Sequence, residues 1–110
     1  ICSIYLNKSF INFSSENSEK LSKSVIQALE SNDIALVLGG DHSLSIGSVH
    51  GTAHAFDSQI GLIWIDAHAD INTPLTSPSG NLHGQPVSFL LYELRKYLPR
   101  MEAFDWNKPW

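Results

Sequence analysis

Two short apolar runs limit how this chain can fold more than any other feature of it. The runs are "IALVLGG", residues 34–40, and "IGLIWID", residues 60–66, and neither alternates with polar positions. Continuous hydrophobicity over so short a length is typical of strands that are covered on both faces, as in a parallel sheet. We therefore expect two buried strands inside a layered α/β domain.

Helical patterns flank the two runs. Residues 16–30 and residues 86–98 have the apolar spacing of helices, and residues 44–56, between the two runs, have the length of a crossover helix. The apolar face of the first consists of Leu21, Val25, Ala28 and Leu29. The stretch of residues 86–98 begins at a proline, which the first turn of a helix tolerates, and its apolar face consists of Val87, Leu90, Leu91, Leu94 and Leu98. The order of elements predicts part of an α/β domain with a parallel sheet.

Composition excludes several classes of protein. With 110 residues, of which 43% are hydrophobic, the chain can build the core of one small domain but not of two. A single cysteine, Cys2, excludes an internal disulfide and favours a reducing compartment such as the cytoplasm. No stretch approaches the roughly 18 apolar residues of a membrane span. All basic residues lie at or before Lys23 or at or after Arg95, which leaves an acidic centre that is unsuited to nucleic acid.

Acids and imidazoles follow both predicted strands, in "GGDHS", residues 39–43, and "DAHAD", residues 66–70. Ligands of α/β sheets bind beyond the carboxyl ends of the strands. In an extended chain Asp66, His68 and Asp70 project to one side, and His42 can join them from the other strand end. Carboxylate and imidazole ligands without a thiolate indicate a divalent ion, with manganese favoured over zinc. Carboxylates can also bridge two ions that share a hydroxide. The alternative is a polar strand end whose carboxylates cap backbone amides.

Other motifs carry less information. "LVLGGDHS" lacks the glycine spacing of a phosphate-binding loop, and the G-x-S-x-G string of serine hydrolases does not occur. His50 and His54 are four residues apart on a predicted helix, where a solvated helix face is the favoured interpretation and a shared metal the alternative. Trp64 is expected in the core.

The loop "INTPLTSPSGNLHGQP", residues 71–86, is longer than a usual connection between a strand and a helix. Asn72, Ser79 and Asn81 carry neutral polar groups that can hydrogen-bond a small zwitterion. His83 carries an imidazole, which suits proton transfer near neutral pH. Composition alone favours an ordinary surface loop.

Three motifs in order resemble the arginases of the ureohydrolase superfamily: "LVLGGDHSLSIGS", "IWIDAHADINTP" and "SGNLHGQPVSFLL". "GGDHS" and "DAHAD" are shared across ureohydrolases, including agmatinases and formimidoylglutamases, whereas "DINTP" and "SGNLHGQPVSFL" are more particular to arginases. The resemblance implies a fragment of a three-layer α/β/α fold with a parallel sheet. It divides the chain into an unmatched segment, residues 1–13, and a partial ureohydrolase domain truncated at its carboxyl end, residues 14–110.

The resemblance also implies a reaction and a role for each site residue. The reaction is manganese-dependent hydrolysis of L-arginine to L-ornithine and urea, in which a hydroxide that bridges two ions attacks the guanidinium carbon. His42 and Asp70 match ligands of one ion, His68 matches a ligand of the other, and Asp66 matches a bridging carboxylate. Asp70 also matches the acceptor of a hydrogen bond from the hydroxide, and His83 matches a proton shuttle. The residues that match contacts to the α-carboxylate and α-amino groups of the substrate are Asn72, Ser79 and Asn81.

One family feature does not occur in these residues. Arginases carry a later D-x-D motif that completes both metal spheres, and Asp105 has no second aspartate two positions away. We therefore expect the 110-residue chain alone to be inactive, and a non-catalytic truncated fragment is one alternative to an arginase. An agmatinase-like enzyme is another. The resemblance further implies a homotrimer, either cytoplasmic or mitochondrial.

Overall fold

The computed structural model describes residues 8–99, with side chains from residue 14 onward. Three α-helices lie in this part of the chain: α1 (Lys8–Leu29), α2 (Ser45–Ala55) and α3 (Pro86–Leu90). Three short 3-10 helices accompany them: His42–Leu44, Leu82–Gly84 and Tyr92–Tyr97. The first two predicted helices are present, and α1 begins eight positions before the predicted start at Glu16. None of the described helices is long and apolar enough to cross a bilayer.

Small residues bring α1 and α2 into close contact. Ser18, Ser22 and Val25 are buried on α1, at helical spacing, while Gly47 and Gly51 are buried on α2. A Cβ atom would lie 2.5 Å from the carbonyl oxygen of Ser18 if added at Gly47, and 2.6 Å from that of Ser22 if added at Gly51. The absence of side chains at the two glycines therefore sets the distance between the helices. Only Val25 of the predicted apolar face is fully buried, because the contact is made mainly by serines.

Replacing Gly51 with Ala tests this contact. The added methyl group also meets Cβ of Val25 at 2.9 Å, so the helices must move apart. Overpacking of this kind costs about 1–3 kcal/mol, while the better helix propensity of Ala returns about 1 kcal/mol. The difference is a net loss of up to about 2 kcal/mol in the free energy of unfolding, measured by urea denaturation. Gly61→Ala is the matched control, since a Cβ there meets nothing within 4 Å. Equal stability of both variants would contradict the account.

The two predicted strands are extended, but the described residues form no β-ladder. The described residues do not supply the cover on both faces that continuous hydrophobicity predicts. Ile34, Leu36 and Leu38 expose one face of the first segment, with Ile34 81% exposed, and Ile65 of the second is 94% exposed. A strand needs a neighbour for its backbone groups, and these two segments do not pair with each other. The parallel sheet is therefore not confirmed by the structure.

A groove of about 560 Å³ is lined by both segments and by α2. Ala35 and Val37 line it from the first segment, residues 60–62 line it from the second, and Val49 of α2 contributes to its lining. The first segment thus turns alternate side chains toward this groove.

The last predicted helix is interrupted. α3 begins at Pro86 as expected but ends at Leu90, and Leu91 is extended with φ −99° and ψ 118°. In one straight helix Leu98 would lie about 13 Å along the axis from Phe89. The break instead returns Leu98 to the buried cluster of Ile46, Leu82 and Phe89. Burial of Leu98 against this cluster therefore stabilises the fold more than continuation of α3 would.

Candidate metal centre

His42 is held by the backbone turn that follows the first extended segment. Asp41 precedes the 3-10 helix His42–Leu44, and its Oδ1 accepts hydrogen bonds from the backbone N–H of Ser43, at 2.9 Å, and from the Ser43 hydroxyl. These hydrogen bonds, the hydroxyl first, lower the pKa of Asp41, and the nearby His83 and His42 add to the effect. Ser45 Oγ donates to the carbonyl oxygen of His42 at 2.6 Å. The backbone at His42 is thereby fixed on both sides.

Asp66 ends the second extended segment and closes a tight turn. Its Oδ1 accepts a hydrogen bond from the backbone N–H of His68 at 2.8 Å. That hydrogen bond is the main cause that lowers the pKa of Asp66, and the nearby imidazoles of His42 and His68 contribute further. Asp66 is therefore a carboxylate, with its second oxygen free to face His42.

Asp70 has an unusual backbone. Its φ of 50° lies in the left-handed region, which non-glycine residues rarely adopt and which Asp tolerates better than most. The backbone N–H of Val87 donates to the carbonyl oxygen of Asp70 at 3.0 Å, which ties it to the start of α3. Its side chain is buried, with 7% of the residue exposed. The fold thus holds a carboxylate inside the protein in a costly conformation.

Three side chains converge at one point. His42 Nδ1 lies 3.0 Å from Asp70 Oδ2 and 3.3 Å from Asp66 Oδ2, and one ligand atom from each residue lies within 4.8 Å of the others. Two ligands at right angles around a six-coordinate dication, with bonds of about 2.1 Å, lie about 3.0 Å apart. Asp70 Oδ2 is buried and has no hydrogen bond despite its short distance to His42, so its lone pairs are unsatisfied within the described residues. Such a group is suited to hold a divalent metal ion.

His68 lies on the other side of Asp66. Its Nδ1 is 3.4 Å from Asp66 Oδ1, while the opposite oxygen, Oδ2, faces His42. The side chain of His68 is 81% exposed and lies outside the group of three. Asp66 is thus placed between two imidazoles, each beside a different oxygen.

The residues of the long loop show mainly local contacts. Asn72 Oδ1 accepts a hydrogen bond from Thr76 Oγ1 at 3.1 Å, and Ser79 Oγ accepts one from the backbone N–H of Asn81 at 3.3 Å. His83 is exposed beside the buried Leu82, and it is one of the nearby groups that lower the pKa of Asp41. The structure therefore places His83 near the first motif, whereas Asn72, Ser79 and Asn81 are held within their own loop.

Comparison with known proteins connects this geometry to a family. The arginase family model matches residues 5–101. The chain belongs to the arginase family. Arginase-1 of Homo sapiens is 55% identical over 92 residues, which are 84% of this chain and 28% of the human protein. Arginase-2, mitochondrial, of Bos taurus is 53% identical over 92 residues, which are 83% of this chain and 25% of the bovine protein. The hepatic arginase of Aquarana catesbeiana is 50% identical over 91 residues, which are 83% of this chain and 28% of that protein. The chain spans about a quarter of the length of these relatives.

Trp64 was expected in the core of this arginase-family chain, but it lies beside His42 of the metal site. Its ring is stacked on His42, with ring centroids 4.8 Å apart and planes 20° apart. The side chain is half-buried. The signal was available, because residues 64 and 66 of an extended chain project to the same side.

The expectation that His50 and His54 lie on a solvated helix face is wrong for His50. Ser22 Oγ and His50 Nδ1 form a hydrogen bond of 2.8 Å across the contact between α1 and α2. Burial lowers the pKa of His50, and the nearby His54 lowers it further. His54 is exposed and its ring lies parallel to that of His50, with centroids 6.4 Å apart. His50 therefore belongs to the helix interface, and no metal group that includes it occurs in the described part of the chain.

Stability should depend on pH through His50. Because its pKa is lower in the folded state than the ordinary value near 6.5, the unfolded chain binds more protons as pH falls. The contribution of neutral His50 to the free energy of unfolding is complete above about pH 6.5, and it declines as pH falls toward the pKa of His50 in the folded state. We expect the urea midpoint, measured without metal, to fall between pH 8 and pH 5.5, and to fall more for the wild type than for His50→Gln. Identical declines in the two proteins would show that His50 is not the cause.

Proposed function

We propose that the protein containing these residues is an arginase, which hydrolyses L-arginine to L-ornithine and urea with manganese. The observation that carries the proposal is the convergence of His42, Asp66 and Asp70 to within 4.8 Å at the ends of two motifs. Membership of the arginase family, at 50–55% identity to proteins named arginase, supports the reaction. The activity belongs to the whole protein, because this chain spans only part of its relatives.

Two manganese ions per site are part of the proposal. His42 and Asp70 would hold one ion, His68 would hold the other, and Asp66 would bridge them with its two oxygens. The placement of Asp66 Oδ2 beside His42 and of Oδ1 beside His68 supports the bridging role. When bound, the ions lower the pKa of water and so supply hydroxide at neutral pH. Asp70 would accept a hydrogen bond from the hydroxide, and its buried oxygen, which has no hydrogen-bond partner in the described residues, supports this role.

The long loop would bind the amino acid end of the substrate. Asn72, Ser79 and Asn81 would contact the α-carboxylate and α-amino groups through neutral hydrogen bonds. Each of their loop contacts uses a polar atom that a substrate group can share or replace. His83 is exposed, which suits a residue that exchanges protons with solvent and passes them to the departing ornithine amine.

The parallel sheet is also proposed for the whole protein. Residues 34–40 and 60–66 would be two of its strands, within a partial ureohydrolase domain over residues 14–110. The apolar side chains exposed on both segments and the unpaired backbone beside the groove support additional strands there. The resemblance to arginases also supports a homotrimer. Cytoplasmic residence is proposed from the cysteine content, and a mitochondrial form is the alternative that the name of the bovine relative suggests.

Urea release tests the function. We expect the full-length protein, loaded with Mn²⁺, to release urea from L-arginine and much less from agmatine, which lacks the α-carboxylate. Greater activity on agmatine would favour the agmatinase-like alternative. Failure to release urea from either substrate would overturn the proposal.

The 110-residue chain alone should behave differently. It contains four of the expected ligand residues but no later D-x-D motif, and each missing carboxylate removes charge that a dication requires. We expect no urea from the chain with Mn²⁺ and L-arginine. Sustained release would show that the residues described here suffice for catalysis.

A further inference from the structure

We infer that Trp64 is a positioning residue for His42, and that its indole ring fixes the plane of the imidazole so that Nδ1 points at the metal position. The inference rests on the metal centre proposed above. Ring centroids 4.8 Å apart and planes 20° apart give a stacked pair. In this orientation Nδ1 of His42 faces the carboxylates of both Asp66 and Asp70, at 3.3 and 3.0 Å.

The hydrogen bonds around Asp41 and Ser45 act on the backbone of His42 and leave its ring plane free to rotate. Metal-binding histidines usually donate their second ring N–H to a carboxylate or a carbonyl group, which fixes the ring. Within residues 14–99 the ring contacts of His42 are those with Asp66, Asp70 and Trp64, and none supplies such a hydrogen bond to the second nitrogen. Stacking on Trp64 thus takes the place of the usual hydrogen bond.

The position of Trp64 also links the two motifs. It lies two residues before Asp66 on the second extended segment, while His42 follows the first segment, and no ladder joins the two segments in the described chain. The stack therefore sets the position of one ligand relative to another. An imidazole bound to a dication is electron-poor, and the electron-rich face of indole favours it over the free ring. Trp64 should for this reason increase the affinity for the ion as well as orient its ligand.

The experiment compares Mn²⁺ binding to the purified protein by isothermal titration calorimetry for wild type, Trp64→Leu and Trp64→Phe. Loss of an outer group that orients a ligand typically reduces metal affinity 10–100-fold. We expect Trp64→Leu to bind about tenfold more weakly or worse, and Trp64→Phe to recover most of the affinity. Urea denaturation of all three proteins without metal separates this effect from a loss of stability. Equal affinity of wild type and Trp64→Leu would overturn the inference while leaving the metal centre intact. Absence of Mn²⁺ binding by the wild type would overturn both.

A second measurement needs no variant and no metal. In the metal-free wild type, ring currents of the indole should shift the carbon-bound ring protons of His42 upfield relative to those of the exposed His68 in NMR spectra. Equal shifts for the two histidines would contradict the stacking on which the inference depends, even if Trp64→Leu failed to fold.

Discussion

Asp70→Asn should reduce the affinity for Mn²⁺ by at least about 100-fold. Loss of a group that only orients a metal ligand already reduces metal affinity by up to about 100-fold, and this variant removes the charge of a ligand itself. The variant keeps the size of the side chain, and Asn tolerates the left-handed φ of 50° that Asp70 adopts. What it loses is the negative oxygen that lies buried and unsatisfied beside His42. Calorimetric titration of the protein with Mn²⁺ measures the difference.

Asp57→Asn is the matched control for this change. Asp57 has nearly the same backbone conformation, with φ 49°, but it is exposed in the turn after α2 and does not belong to the metal group. Its variant loses the same charge from the same backbone geometry. We expect wild-type Mn²⁺ affinity for it. A similar loss in both variants would show that overall charge, and not the placement of Asp70, attracts the ion.

His83→Asn should lower kcat of the full-length protein for urea release by about 10²–10⁴-fold, the usual contribution of a general acid or base. Asn keeps the polarity and most of the size of the imidazole but cannot carry a proton. Because His83 lies outside the group of His42, Asp66 and Asp70, Mn²⁺ affinity should stay near the wild-type value. Steady-state kinetics with L-arginine and titration with Mn²⁺ separate the two effects.

An exposed histidine elsewhere in the chain controls for the loss of an imidazole. His54→Asn changes α2, whose exposed His54 has no place in the metal group, and we expect unchanged kcat. If His83→Asn retained full activity, His83 would not be the proton shuttle. If it lost Mn²⁺ binding instead, the loop would have a structural role at the metal centre.

The helices were predictable from sequence because their signals are local. Apolar spacing located α1, the length of the segment between the two apolar runs located α2, and Pro86 marked the start of α3. The break at Leu91 was not predictable, since it depends on the return of Leu98 to a cluster assembled from distant parts of the chain. The contact of α1 and α2 was missed for a related reason. The sequence analysis considered apolar residues alone, whereas Gly47 and Gly51 face a row of serines.

The exposure of the two extended segments shows what a local pattern cannot reveal. Continuous hydrophobicity describes the environment that a segment needs, and it does not show whether these residues supply that environment. In this chain Ile34 and Ile65 remain exposed. The groove lies beside two segments that would pair with other strands in a sheet.

The centre of the site was predictable and its surroundings were not. The two motifs indicated that Asp66, Asp70 and His42 converge, and they do. The extended chain expected from Asp66 to Asp70 does not occur, because a tight turn begins at Asp66 and Asp70 has a left-handed backbone. The turn places His68 beside the other oxygen of Asp66. The left-handed backbone of Asp70 arises from tertiary contacts that no short motif encodes, whereas the spacing of residues 64 and 66 could have placed Trp64 beside the site.

The most direct test of the metal centre is a crystal structure of the protein grown with Mn²⁺, with an anomalous difference map from data on the two sides of the manganese absorption edge. The account predicts a peak within bonding distance of His42 Nδ1 and of the carboxylate oxygens of Asp66 and Asp70. A second peak between Asp66 and His68 is expected for the full-length protein. A protein that folds as described but shows its manganese peak elsewhere, or shows none beside these three side chains, would contradict the account.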